Sequence, residues 1–146
     1  MTWTDWLREG RLELHKAARG EIAALRRAAE RSLRDAALAG LSPEGRFQLA
    51  YGAALDMATV AVLAAGYRVR ARVGHHQLVF EAAGVALGVE SDTLLSYLDL
   101  CRRRRNSVSY EGDEVGEEQA RELLREAGRL AGLVEAWLEH RHRELL

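Results

Sequence analysis

Leu41–Tyr67 reads LSPEGRFQLAYGAALDMATVAVLAAGY, and the interpretation of this stretch decides the fold. Ser42 is a good helix N-cap. Pro43 takes the first helical position, where its missing N–H costs nothing. The run Phe47–Tyr67 is nearly apolar, but it contains Gln48 and Asp56, is rich in alanine and stops at Gly66. A capped, alanine-rich run of this kind reads as a core helix, not as a membrane span. The spacing predicts a helix from Pro43 to about Ala65, apolar on nearly every face, as the central helix of a bundle is.

Working outward, the flanking segments carry one apolar stripe each, as helices wrapped around such a centre would. Upstream, Thr2 or Thr4 can cap a first helix whose early apolar positions are Trp3, Trp6, Leu7 and Leu14. Ala18, Ile22, Leu25, Ala29, Leu33 and Ala36 continue a three-to-four spacing up to Gly40. Gly20 is the place where this run would break into two helices. Downstream, "RVRARVG" is a basic connection. A helix then covers about His75–Leu87 and ends at Gly88, and Ser91 and Asp92 open the next. After "EGDEVG" the last helix runs from about Glu117 to Arg143, with the stripe Ala120, Leu123, Ala127, Leu130, Val134, Trp137 and Arg141. Its acidic first turn and basic last turn suit the helix dipole. No strand-like alternation competes. The expectation is all-α: one domain, residues 1–146, an antiparallel bundle of four to five helices.

Composition bounds the chemistry. The chain has 146 residues, 48% of them hydrophobic, and a net charge of −1. There is no global field to attract nucleic acid or an acidic membrane. Cys101 is the single cysteine, so neither an internal disulfide nor a thiolate metal cage can form. His75 and His76 are adjacent and face different ways on a helix, with no third ligand at helical spacing. No metal and no cofactor is expected. "MTWTDWLREG" lacks the apolar run of a signal peptide, so the expectation is a cytoplasmic protein without a membrane.

Four arginines in a row stand out in "CRRRRNSVSYEG", Cys101–Gly112. Consecutive helical residues turn about 100° each, so the four fan around the helix. The apolar stripe Leu94, Leu98, Cys101, Arg105, Val108 puts Arg105 at a core-facing position. Arg102 flanks that face, and Arg103 and Arg104 point outward. A core-facing arginine needs a counter-charge, and Asp56, the one charge within Phe47–Tyr67, is the expected partner. Arg68, Arg70 and Arg72, with Arg103 and Arg104, are candidates for a local phosphate-binding surface.

"RNSVSY" at the end of a helix, then an acidic turn and a final amphipathic helix, resembles the HEPN superfamily. "YGAALDMATVAVLAAGY" resembles that superfamily's alanine-rich central helix. The resemblance implies a helical bundle, a homodimer, and a role in cutting or binding RNA or as the partner of a small nucleotidyltransferase in a toxin–antitoxin pair. Catalytic members carry an arginine, then usually a polar residue, then a histidine a little over one turn later. Arg105 and Asn106 match the start, but Tyr110 stands where the histidine belongs. Tyrosine, with a pKa of about 10, is a poor proton carrier near neutral pH where histidine is a good one. The chain therefore reads as a non-catalytic binder of RNA, a nucleotide or a nucleotidyltransferase, with Arg102, Arg105, Asn106, Tyr110 and Asp56 as ligand-binding candidates. The alternatives are an endoribonuclease toxin, in which His75 or His76 replaces the missing histidine in space, and a purely structural dimeric domain, in which Arg105, Asn106 and Tyr110 only lock a helix end. A homodimer is also expected because Trp3, Trp6 and Trp137 offer apolar surface beyond what one thin bundle needs.

Overall fold

The computed structural model describes residues 2–72 and 74–146. It contains six α-helices, α1 (Trp3–Arg8), α2 (Arg19–Ala36), α3 (Pro43–Ala64), α4 (His75–Leu87), α5 (Asp92–Glu111) and α6 (Glu117–Arg141), and two short strands, β1 (Leu12–Leu14) and β2 (Tyr67–Val69). The all-α bundle expected from the sequence is present, with a small two-stranded sheet added at one end.

Helix α3 is the axis. Ser42 caps it, its hydroxyl accepting from Gly45 N–H at 3.0 Å, and Pro43 opens it. Among its residues Ala50, Ala53, Ala54, Ala58, Val60 and Ala61 are wholly buried. Small side chains let α2, α4, α5 and α6 approach on several sides at once. Although α3 is long and apolar enough to cross a bilayer by length and composition, its apolar surface is spent on those neighbours.

Its buried charge is Arg46, not Asp56. The Arg46 guanidinium is 4% exposed. It donates to Ala36 O at 2.8 Å, to Leu38 O at 2.7 Å and to Glu117 Oε1 at 2.7 Å. Carbonyls left over at the end of α2 and a carboxylate in the first turn of α6 thus meet at one cation. A second tie is the fork of Arg26 to Glu135, at 2.7 and 2.6 Å, between α2 and α6.

The N-terminal run breaks earlier than expected. Helix α1 has a capping box between Thr2 and Asp5 and ends in six residues. Gly10 follows at φ 69°, a conformation that disfavours any side chain. Leu12–Leu14 is then strand, pairing antiparallel with β2 in the register Leu12↔Val69, Glu13↔Arg68 and Leu14↔Tyr67. The basic connection is therefore half of a sheet, and Arg68 and Arg70 both reach Glu13. Gly20 lies harmlessly in the first turn of α2.

The tryptophans are largely covered within the chain. Trp6 is 0% exposed, Trp3 stacks on Tyr67 with ring centroids 4.3 Å apart, and Trp137 packs on His142 at 4.5 Å. Late in α6, Leu138 rather than Trp137 takes the fully buried position.

Candidate functional site

Arg105 lies where α3, α4 and α5 converge. The position follows from the stripe Leu94, Leu98, Cys101, whose residues are buried and carry the next inward position to Arg105. Its guanidinium carbon sits 5.6 Å from the centre of the Tyr51 ring, within cation–π range. Asp56 is not its partner: the expected ion pair does not form, and no carboxylate lies within salt-bridge distance of Arg105 among the described residues. Asp56 stands five residues beyond Tyr51 on α3, which turns it about 140° away from the face that meets Arg105. Arg105 Nε is closed off from solvent with no acceptor among the described residues.

Tyr51 joins Arg105 to a histidine. Its hydroxyl and His76 Nδ1 share a hydrogen bond at 3.3 Å. Burial pushes the Tyr51 phenol up to about 12, against a smaller opposite pull from Arg105 and Arg102, so the hydroxyl remains a donor at neutral pH. Burial holds His76 below the usual histidine range, and the charges of His75, Arg105 and Arg102 add to the effect. The Phe80 ring, 5.9 Å from Tyr51, backs the cluster, and Gln48 donates to Ser109 Oγ at 2.9 Å, fastening α3 to the last turns of α5.

Arg102 and Arg103 both use Asp99, at 2.8 and 3.5 Å. Arg102 acts on the cluster through its field alone. Asn106 is half-buried and follows Arg105 on α5, with no side-chain hydrogen bond among the described residues. Tyr110 does not enter the site: it is 79% exposed in the final turn of α5. Asp56 is half-buried, and burial alone raises its pKa.

The expected basic surface is mostly neutralised within the chain. Arg68 and Arg70 are on Glu13, Arg103 is on Asp99, and Arg104 approaches Asp113 at 3.9 Å; Arg72 is exposed. Cys101 is a buried thiol whose pKa burial raises to about 11, which suits packing and not nucleophilic attack. No group of three or more metal-ligating side chains occurs among the described residues.

The site thus gathers a guanidinium, an imidazole and a phenol, with the neighbouring carboxylate already engaged. Such a set complements an anion with several oxygens. Sequence spacing names Arg105 but not Tyr51, whose signal was being the lone phenol in an alanine-rich helix. His76 was visible only as the histidine that a fold could bring near Arg105. In comparisons with protein-family models, with curated proteins and with solved structures, the chain matches none.

Proposed function

We propose that this chain is a HEPN-like helical domain that binds RNA or a nucleotide through a phosphate seated at Arg105, Tyr51 and His76. The observation that carries this reading is Arg105 itself, a half-buried cation over an aromatic ring, with a buried Nε lacking an acceptor. A cation taken out of water without a counter-charge is costly, and a phosphate supplies that charge together with the missing acceptor. The surface pairs Arg104–Asp113 and Arg68–Glu13 are exposed and weak, so a polyanion can exchange with their carboxylates.

The test is anisotropy of a labelled single-stranded RNA against salt. Binding at about 50 mM salt should weaken steeply as salt rises. Arg105→Ala should lower affinity at least about tenfold, the cost of one charge-assisted contact. Equal binding by wild type and Arg105→Ala, or none by either, rejects the site.

One observation favours a second reading, an active endoribonuclease. His76 is contributed by a different helix from Arg105, and its depressed pKa keeps it neutral near pH 7, the state a general base requires. Metal-free cleavage of RNA that disappears in both His76→Ala and Arg105→Ala would promote this reading over simple binding. Binding without cleavage leaves the first.

A further inference from the structure

Helices α4 and α5, joined by one short turn, diverge to leave a groove of about 850 Å³. It borders the Arg105 site, sharing Phe80 and Asp99 with it, but contains neither Arg105, Tyr51 nor His76. Phe80, Gly84 and Leu95 form its floor. Three of the chain's exposed large apolar side chains gather along it: Val85 at 44%, Val89 at 80% and Leu100 at 59%. Apolar side chains concentrated at a groove mark an interaction surface more often than scattered ones do.

The charges say what fits there. Along the α5 rim the groove shows Asp92, Ser96, Asp99 and Arg103, a run of threes and fours that keeps all four on one face. An acid stands at one end and a base at the other, eleven residue steps apart, about 16.5 Å of helix. This order is complementary to itself when reversed. A two-fold axis crossing α5 between Tyr97 and Leu98 would set Asp92 against Arg103 of a second copy and the same pair again at the far end. It would also bring Leu100 near its own counterpart. Asp92 is exposed and has no cation partner among the described residues. Arg103 is exposed and holds Asp99 only at 3.5 Å, while Arg102 already binds Asp99 at 2.8 Å. Arg103 can therefore turn outward without stranding Asp99.

We infer that the α4–α5 groove is the surface on which a second copy of this chain docks, α5 against α5 in antiparallel register, closed by two reciprocal Asp92–Arg103 pairs. An isologous interface of this kind satisfies both copies with one patch. An ordinary-sized interface takes about 800 Å² from each partner, about a tenth of the 7987 Å² this chain exposes. Glu81 on the α4 rim leaves the groove slightly acidic, so a basic helix from another protein is the competing occupant.

The experiment is sedimentation equilibrium on the wild type, Arg103→Asp, Asp92→Arg and the double variant carrying both changes. Each fold is checked by circular dichroism, which these exposed positions should leave unaltered. The wild type should be dimeric at tens of micromolar. Either single reversal opposes like charges at both ends and should weaken the dimer at least tenfold. The double variant restores opposite charges and should return to within about threefold of wild type. A monomeric wild type, or a dimer indifferent to the single reversals, overturns the inference, and the first of these outcomes leaves the groove to a basic partner helix. A double variant as weak as the singles also overturns it, because rescue is what a reciprocal pair requires.

Discussion

Arg46 and Arg105 both point inward from apolar stripes, yet they differ in what removing them leaves behind. Truncating Arg46 strands two carbonyl oxygens at the end of α2 and loosens Glu117. Arg46→Ala should destabilise by about 2–3 kcal/mol in denaturant melts, since buried acceptors left without donors are costly. Arg105→Ala strands no carboxylate and gives up only its contact with Tyr51. It should cost about 1 kcal/mol or less. Equal losses would mean that Arg105 is an undetected structural tie. Asp56 runs the other way. Burial raises its folded pKa above the unfolded value, so the native state holds its proton more tightly. Its carboxylate weakens the fold once pH rises past the ordinary aspartate range. Asp56→Asn should stabilise at pH 7 by less than about 1 kcal/mol, the half-exposed side chain being well solvated, and the gain should vanish near pH 3. His76 is opposite in sign. Its folded pKa is depressed, so the unfolded chain takes up the proton first, and stability contributed by neutral His76 is present above about pH 6.5 and lost as pH falls. A melt series from pH 8 to pH 5 should show a loss that His76→Gln reduces. The apolar spacing gave the side of α5 on which Arg105 stands but not the residue opposite, because that depends on how α5 is set lengthwise against α3. Which of Tyr51 and Asp56 faces Arg105 is decided as well by the rotation of α3, since five residues set the two about 140° apart around it.

Among the elements, α3 to α6 were legible because capping chemistry and periodicity agree at their ends. Ser42 with Pro43, Gly66, Gly88 and Glu117 all mark boundaries seen in the fold. The strands were not legible. Three residues are too few to establish an alternation of period two, and the Leu12–Leu14 pairing depends on a partner far along the chain. In α6, Val134 is followed at three and four residues by Trp137 and Leu138, and the spacing permits either. The 3.6-residue period settles on Leu138 after the long run from Ala120. Gly66 gives the sharpest test at this scale. It turns the chain from α3 into β2 at φ 102° with no atom within 4 Å of where a side chain would begin. Space is open, so any cost of Gly66→Ala is conformational. Thermal melts should show a loss of about 1–2 kcal/mol, and no loss would mean that the turn readily relaxes.

For the whole molecule, the sheet has a meaning beyond its size. Glu13 and Arg68 are 55 residues apart in sequence, and the segment between them contains α2 and α3. Closing a loop of that length in a flexible chain costs about 3.5 kcal/mol, more than two strands of three residues can return. The sheet therefore cannot lead. It can close only after α2 has lain down on α3 and brought Leu14 and Tyr67 within reach. In kinetic terms, β1 and β2 are a latch on a door that other contacts have already shut. Weakening the latch, as Glu13→Ala does by releasing both Arg68 and Arg70, should leave the folding rate nearly unchanged and speed unfolding by almost the full loss in stability. A chevron in which the folding limb moves instead would place the pairing of these strands at the start of folding. The same order means that the segment holding Trp3 against Tyr67 is the first to come loose. A stopped-flow trace following tryptophan fluorescence would thus begin to change before the α3 core is exposed.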